Sequence, residues 1–227
     1  VGYINATDAG AANAWGTAGG DIEYVQFLAV DVNDNLLING TDAQAIQNYF
    51  VLGGSFTKQW EYWSAGSVIH SNYNPYSTNE IPPHPAAIEV VVSGGDVSHD
   101  LFAQATGDFN GSYTPDQLKS ASRSLLLAQE RSLNVDKNQE FELPLRAGFA
   151  MEVGAVSMIL DMPEDVVQVT DVQIAGSEVP VTWAMKGNEL RIGWNSLNPV
   201  YVGENDALVV LKLQASESFT EGELMDI

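Results

Sequence analysis

An internal repeat near the start of the chain constrains its fold more strongly than any other feature. The segment Tyr3–Ala9 recurs as Leu37–Ala43, and both copies contain the pattern Ile-Asn-x-Thr-Asp-Ala. The similarity continues beyond this pattern, where Trp15 in the first copy matches Tyr49 in the second. A match of this length indicates that a whole unit, a loop followed by a helix, was duplicated.

The second copy of the repeat predicts an amphipathic helix. Thr41 has a side chain suited to an N-cap, and the apolar residues Ala43, Ile46 and Phe50 follow at helical spacing. The glycine pair that begins at Gly53 predicts the end of this helix. Each repeat is therefore expected to be a loop that leads directly into one helix.

The loop of the second copy has the ligand spacing of a calcium loop of the EF type. Such a loop supplies oxygen from its first, third and fifth positions, its main chain at the seventh, water at the ninth, and a carboxylate at the twelfth. Counted in this way, the predicted ligands are Asp31, Asn33, Asn35, the carbonyl of Leu37 and Asp42. Leu36 takes the place where glycine usually makes the sharp turn. An ordinary solvated turn, which Asn and Asp also favour, is the alternative.

The loop of the first copy is incomplete. Counting back from Asp8 places Val1 at the fifth position, so the first and third ligand positions have no residue. We therefore expect the chain to begin inside a loop, either as a fragment of a longer protein or without its upstream residues. Asp8 and the carbonyl of Tyr3 remain as predicted ligands of this copy.

A third, degenerate copy is predicted in the segment that starts at Gly107. A full-length loop from Asp108 would place Lys119 at the twelfth position, and a lysine cannot ligate a cation. A contracted loop remains open, and its predicted ligands are Asp108, Asn110, Ser112 and Asp116. The alternative is a structural turn capped by Asp108, after which Pro115 starts a helix.

The charge of the chain favours a cation over an anionic partner. It contains 30 acidic and 9 basic residues and has a formal net charge of -21. This charge repels a phosphate backbone and an anionic bilayer, so nucleic acid and membrane insertion are not expected, whereas hard cations such as calcium suit carboxylate ligands. No apolar run is long enough for a spanning helix, and no basic-then-apolar leader opens the chain. The absence of cysteine excludes disulfides and thiolate metal sites.

The region from residue 55 to residue 86 predicts an ordered connector, because its aromatic residues are interspersed with Asn, Ser and Pro. The main aromatic residues are Trp60, Tyr62, Trp63, Tyr73 and Tyr76. Packing at a domain junction is the favoured interpretation, and a platform for stacking sugar rings is the alternative. The runs Ala87–Val92 and Val97–Phe102 then predict a β-hairpin across a glycine-containing turn.

The second half of the chain predicts an antiparallel β-sandwich. Short β-rich runs follow one another with turn residues between most of them and no helical pattern, as in sandwich folds. Asn188 marks one of the predicted hairpin turns. The predicted strands are Leu125–Leu127, Phe141–Leu145, Val153–Leu160, Val166–Ile174, Val181–Met185, Leu190–Trp194 and Ala207–Leu213.

Catalysis is not expected for this chain. None of the common catalytic sequence motifs is present, and acidic pairs arise by chance among 30 acidic residues. The three histidines, His70, His84 and His99, lack the spacing of a zinc site.

The pattern Asp-x-Asn-x-Asn-x-x-Ile-Asn-x-Thr-Asp-Ala, followed by a helix, resembles a type I dockerin repeat, and it is duplicated as in dockerins. The resemblance implies that the loops bind calcium and that the helices are presented to a cohesin. It places the recognition positions at Ala6, Thr7, Gly40 and Thr41. The strands from Phe141 onward resemble the opening half of a cohesin or a related carbohydrate-binding sandwich, as found in large extracellular proteins of the Bacteroidetes.

These features predict a multidomain chain. We expect a small α-helical dockerin-like domain over residues 1–54, a connector with a degenerate third loop over 55–120, and a cohesin-like, jelly-roll or Ig-like β-sandwich over 121–227. The expected function is that of a secreted bacterial scaffold or anchoring module, outside the cell or on its surface. It would bind calcium and a cohesin- or dockerin-bearing protein, in a setting of polysaccharide degradation. The alternative is a carbohydrate-binding sandwich in which the calcium loops are structural staples.

Overall fold

The computed structural model describes residues 3–57, 59–70, 88–113, 127–128, 135–163 and 165–217. Several predictions lie outside these residues, namely those for Asp116, for the helix after Pro115, for Tyr73, Tyr76 and His84, and for the first two residues of the run at Leu125. The chain divides into two compact units. The first comprises Val1–Tyr49 with Gly53–Leu118, and the second comprises Phe50–Leu52 with Lys119–Ile227.

Three helices lie in the N-terminal part of the chain. They are α1 (Ala6–Ala18), α2 (Tyr24–Val30) and α3 (Gly40–Leu52), and the short strand β1 (Ile22–Glu23) precedes α2. The predicted end of α3 is confirmed, because Gly53 is its C-cap. Helix α2 and strand β1 were not predicted from the sequence. In the described part of the chain, no helix has the length and hydrophobicity needed to cross a bilayer.

The two repeat helices begin with the same capping box. Asn5 caps α1 and Asn39 caps α3, and in each helix the Asp three residues later accepts a hydrogen bond from the N–H of the cap residue. The prediction that Thr41 is the N-cap is therefore wrong. Thr41 lies inside the helix, and its N–H donates to the side chain of Asn39 at 2.8 Å. An Asn–Asp capping box stabilises the first turn in the way that Ser/Thr–Glu pairs do.

In the described part of the first unit, the remaining strands are β2 (Trp60–Ser64), β3 (Val68–Ile69) and β4 (Leu101–Ala105). Strand β1 pairs with β3 and strand β2 with β4, both antiparallel. The predicted hairpin between Ala87–Val92 and Val97–Phe102 is wrong, since residues 88–100 form no strand and β4 pairs with β2. The tryptophans of β2 pack on a hydrophobic core, so pairing with β2 joins β4 to that core. Val91, which lies in the run predicted to pair with β4, is instead 75% exposed.

The core of the first unit is built largely from the three helices. Trp15 and Phe27 meet edge to face, and Ile38 and Ile46 lie in the same buried cluster. The two tryptophans of β2 are partly buried against this core, where Trp63 meets Tyr24 edge to face at 5.1 Å. In the described connector, these two indole rings therefore pack inside the first unit.

Apart from Phe50–Leu52, which ends α3, the regular elements described in the second unit are antiparallel strands. They are β5 (Leu127–Ala128), β6 (Glu140–Ala147), β7 (Met151–Asp161), β8 (Val167–Ile174), β9 (Thr182–Lys186), β10 (Glu189–Val202) and β11 (Ala207–Ala215). One sheet has the order β5-β6-β11-β8 and the other the order β7-β10-β9. Both sheets contribute to one core that includes Trp194 and Leu211, an arrangement compatible with a β-sandwich. The strands predicted from Phe141 onward and the turn at Asn188 are confirmed.

Candidate metal centre

The loop between α2 and α3, residues 31–42, curls around the carboxylate of Asp31. The N–H of Asn35 donates to Asp31 Oδ1 at 3.0 Å, and the N–H of Leu36 donates to Asp31 Oδ2 at 2.7 Å. The side chain of Asn35 accepts a bond from the N–H of Leu37 at 2.8 Å. The loop is therefore closed on itself, and its first predicted ligand lies inside the curl. We call residues 31–42 the continuous loop.

The carboxylate of Asp42 lies at the other end of the continuous loop, in the first turn of α3. Its Oδ2 accepts the N–H of Asn39 at 3.0 Å, and its Oδ1 accepts the Nδ2 group of Asn33 at 2.8 Å. Asp31 is 4% exposed and Asp42 is fully buried. Asn33 and Asp42, at the third and twelfth positions, are thus hydrogen bonded to each other. The loop also contains two buried carboxylates, those of Asp31 and Asp42.

The backbone of the continuous loop is left-handed at two residues that are not glycine. Asp34 has φ 56° and Leu36 has φ 65°. The turn usually made by glycine is thus made by Leu36, although its Cβ disfavours this conformation by about 1–2 kcal/mol. The loop keeps this geometry because its N–H groups bind the buried Asp31 carboxylate.

Burial determines the electrostatics of the continuous loop. Burial raises the pKa of Asp42 from 3.8 to about 6, and the charge of Asp31 adds to this rise. Backbone hydrogen bonds at Asn39, Asp42 and Asn33 lower the pKa and so oppose the rise. Two carboxylates held together out of water destabilise each other when both are ionised. A divalent cation between them would remove this penalty.

The segment after β4 repeats the curl of the continuous loop. The N–H of Ser112 donates to Asp108 Oδ1 at 3.0 Å, and the N–H of Tyr113 donates to Asp108 Oδ2 at 3.1 Å. The Asn110 side chain accepts a bond from the N–H of Ser112 at 2.9 Å. Asp108 therefore binds the fourth and fifth residues after it, as Asp31 does. Gly111, with φ 68°, occupies the position of left-handed Asp34.

The structure brings Asp8 onto this segment. Asp8 Oδ1 accepts the N–H groups of Phe109 and Asn110 at 3.1 and 3.2 Å, and its Oδ2 accepts the N–H of Asn5 at 3.0 Å. Asp8 is fully buried and Asp108 is 2% exposed. Burial raises the pKa of Asp8 from 3.8 to about 6, with a further rise from the charge of Asp108.

Two sequence segments that were predicted as separate sites therefore lie together. Residues 108–113 correspond to the first half of the continuous loop, and residues 3–8 correspond to its second half. We call residues 108–113 and 3–8 together the discontinuous loop. The sequence contained a signal for it, because the first copy lacked its opening positions and the third copy had Lys119 where a closing carboxylate is needed.

Each loop offers two carboxylates, and the other predicted ligands are neutral oxygens. Among the residues that the structure describes, no group of three or more Asp, Glu, His or Cys side chains could hold a metal. The Nδ1 atom of His70 lies 3.8 Å from Oδ2 of Asp21, and Nε2 of His99 shares a hydrogen bond with the hydroxyl group of Ser64. A hard-cation site in the described ranges would therefore depend on carbonyl and amide oxygens as well as carboxylates.

The predicted recognition positions lie in the first turns of α1 and α3. Thr7, Gly40 and Thr41 are exposed, whereas Ala6 is fully buried. A partner that contacts the starts of these helices would touch Thr7, Gly40 and Thr41. It would not touch the side chain of Ala6.

A cavity of about 260 Å³ lies in the first unit beside the discontinuous loop. Aromatic rings from Tyr49, Phe56, Trp60 and Tyr113 line it, together with Thr106. The Thr106 hydroxyl oxygen is buried and has no hydrogen-bond partner among the described residues. The cavity thus combines aromatic faces with an unused polar group.

Comparison of the chain with protein-family models, with curated proteins and with solved structures gave no match. Function is therefore inferred from the two loops and the aromatic cavity.

Proposed function

We propose that this protein is a non-catalytic, calcium-binding module that docks onto another protein. The observation that carries the proposal is the buried pair Asp31 and Asp42, which share one loop with the predicted amide and carbonyl ligands. The same carboxylate arrangement at Asp8 and Asp108 supports it. Oxygen ligands of this kind suit calcium, which takes six to eight of them.

In the continuous loop, calcium would be held by Asp31, Asn33, Asn35, the Leu37 carbonyl and Asp42. The Asn33 amide group now donates to Asp42, so the partial positive charge of an N–H compensates the buried carboxylate. Rotation of that amide would present its oxygen to an ion instead. The ion would then supply the positive charge that the loop otherwise takes from hydrogen bonds.

The small number of charged ligands favours a location outside the cell. Calcium affinity rises with the number of charged ligands and the rigidity of the loop, and extracellular modules bind calcium with Kd of about 10⁻⁴–10⁻³ M. Each loop supplies two carboxylates, so we propose affinities near that range. Such sites fill only where calcium is abundant, as at the cell surface or in the extracellular medium.

The proposed partner is a protein that carries a cohesin- or dockerin-like domain. Calcium would fix the starts of α1 and α3, where Thr7, Gly40 and Thr41 are exposed. Fixing these helices before docking lowers the entropy lost on association. The second unit would supply another binding face, as a cohesin-like, jelly-roll or Ig-like sandwich, and polysaccharide degradation is the proposed setting.

Calcium titration of the intact chain tests the proposal. Calorimetry should show binding, and the melting temperature should rise when calcium replaces a chelator. Asp31→Asn should abolish binding at the continuous loop. Asp34→Asn is the matched control, because Asp34 lies in the same loop at no predicted ligand position and Asn tolerates its left-handed backbone. The proposal is wrong if neither heat nor a shift in melting temperature is observed.

Carbohydrate binding is the second candidate function, and the cavity beside the discontinuous loop favours it. The ring centroids of Trp60 and Tyr113 lie 5.9 Å apart at the cavity wall. Thr106 offers a hydroxyl group that has no hydrogen-bond partner among the described residues. Trp60 and Trp63 are both half-buried, so they do not form an exposed platform for glycans. Titration with monosaccharides should quench tryptophan fluorescence in the wild type and not in Trp60→Phe. Quenching that is equal in the two proteins would exclude the cavity as the sugar site.

A further inference from the structure

We infer that the discontinuous loop binds a second calcium ion, and that this ion fastens residues 108–113 to helix α1. The inference rests on the proposed function, since it takes calcium as the ion. It extends that function by making the calcium-dependent unit residues 3–113, beyond the repeat pair of residues 1–54. Calcium would then control a contact between segments 101 residues apart.

The two loops correspond position by position. Asp108, Asn110 and Ser112 occupy the first, third and fifth positions, as Asp31, Asn33 and Asn35 do. The carbonyl of Tyr3 then takes the seventh position and Asp8 takes the twelfth. All of these residue types carry oxygen, so the discontinuous loop contains a complete set of EF-type ligands. In this set Asp8 is the closing carboxylate, in place of Asp116.

The contact between the two halves brings together two buried carboxylates. Every hydrogen bond described for Asp8 comes from a backbone N–H, those of Asn5, Phe109 and Asn110. Asp108 is likewise bound by the N–H groups of Ser112 and Tyr113. These dipoles offset part of the cost of burial, but none of them carries a formal charge. An ion would therefore strengthen this contact more than it strengthens neighbouring uncharged contacts.

Other contacts hold the same segment against α2. The N–H of Gly107 donates to the carbonyl of Ala29 at 2.6 Å, and the side-chain amide of Gln26 donates to the carbonyl of Phe109 at 2.5 Å. Gly107 also has φ 91°, and a Cβ there would lie 2.7 Å from the ring of Phe56. Calcium removal should therefore loosen residues 108–113 locally, while residues before Gly107 stay in place.

Two tyrosines make the discontinuous loop distinguishable by spectroscopy. Tyr113 and Tyr3 occupy its sixth and seventh positions, where the continuous loop has Leu36 and Leu37. Terbium substitutes for calcium in oxygen sites, and its emission is sensitised by a nearby excited tyrosine. Burial raises the pKa of Tyr24, and Tyr24 lies close enough to Asp31 of the continuous loop for the charge of Asp31 to raise this pKa further. All emission measurements therefore use the Tyr24→Phe background, in which emission excited through tyrosine should report mainly on the discontinuous loop.

The first test is a terbium titration of the full chain and four variants, with the number of bound ions measured by calorimetry. The wild type should bind two ions with strong sensitised emission. Asp8→Asn and Asp108→Asn should each leave one ion and lose at least nine-tenths of the emission. Asp42→Asn should also leave one ion but retain the emission, and Asp116→Asn should behave as wild type.

The outcomes separate the two hypotheses. Binding of one ion by the wild type, with no loss of emission in Asp8→Asn, would overturn the discontinuous site and leave the proposed function intact. Loss of emission in Asp116→Asn but not in Asp8→Asn would assign the ion to a contracted loop instead. Binding of no ion by the wild type would refute the proposed function itself.

Amide hydrogen exchange in the wild-type chain gives a second test that needs no variant to fold. Chelation of calcium should accelerate exchange at Phe109, Asn110, Ser112 and Tyr113 at least tenfold. Exchange at the Gly107 amide, which binds Ala29, should change much less. Equal exchange rates with and without calcium at all four amides would overturn the inference.

Discussion

The continuous and discontinuous loops contain the same kinds of predicted ligand in the same order, but these residues come from differently placed parts of the chain. In residues 31–42 they lie within one stretch between α2 and α3. In the other loop they come from a segment after β4 and from the start of α1. The two halves of such a loop are therefore separable, because each half is organised by its own Asp and its own backbone hydrogen bonds.

The largest effect on the two loops is expected from pH in the calcium-free protein. The folded-state pKa of Asp8 and of Asp42 is about 6, above the ordinary value of 3.8. At these two groups the unfolded chain therefore binds fewer protons near pH 5, so their contribution to stability is highest below about pH 4 and falls as pH rises through 6. The loss should be about 3 kcal/mol for each carboxylate.

Thermal melts in chelator from pH 4 to pH 8 check this prediction. Asp8→Asn and Asp42→Asn should each remove about half of the pH dependence, because each removes one of two similar groups. A difference between the two variants would show that the loops are not electrostatically equivalent. A melting temperature that rises from pH 5 to pH 8 would contradict the raised pKa of Asp8 and Asp42.

Calcium is expected to have the next largest effect. At a free concentration about 100 times the Kd, each occupied site stabilises the fold by about 2.7 kcal/mol, so two sites contribute about 5 kcal/mol. Asp8→Asn or Asp42→Asn should halve this gain. Chemical denaturation with and without calcium measures it, and a full gain retained in Asp8→Asn would show that only the continuous loop is a site.

A smaller loss is expected from Gly16→Ala, which tests how α1 packs on the continuous loop. A Cβ at Gly16 would lie 2.4 Å from the backbone oxygen of Ile38, so the helix or the loop must move. Overpacking of this kind costs about 1–3 kcal/mol. Gly54→Ala is the matched control, because its Cβ would meet nothing within 4 Å. Equal unfolding free energies for the two variants would contradict the close contact.

The smallest effect is expected from Leu36→Gly, which makes the continuous loop more like an ordinary calcium loop. Glycine adopts φ 65° without the steric cost that leucine has. The variant should gain up to about 1 kcal/mol of stability, reduced by the lost packing of the leucine side chain. Chemical denaturation measures the change, and Leu37→Gly, at a residue without positive φ, should destabilise the protein instead.

Features with local causes were predicted well from the sequence. The strands from Phe141 onward follow from β-rich runs and turn residues, and the glycine turn at Asn188 joins β9 to β10 as expected. The end of α3 at Gly53 was likewise predictable, because a glycine after a periodic segment is a local signal. The wrong N-cap, Thr41, differs from the true cap, Asn39, by two positions, since both residue types can cap a helix.

Features with non-local causes were missed. The run at Ala87–Val92 has high β propensity, but β4 pairs with β2, whose tryptophans pack on the helices. Strand propensity does not identify the partner strand, because pairing depends on which apolar face can be buried. Helix α2 was missed because its seven residues are almost all buried, so they show no amphipathic period.

Two features of the candidate site could be read from the amino-acid sequence, namely the oxygen-bearing residues at alternate positions and the repeated Asn–Asp pairs that start two helices. These are properties of adjacent residues, and local hydrogen bonds are sufficient to express them. Which of these oxygen-bearing residues lie together depends on the packing of the whole first unit. The union of Asp8 with residues 108–113 depends on the close packing at Gly107 and on the contacts with α2, and burial of this kind follows from the assembled core, not from spacing along the chain.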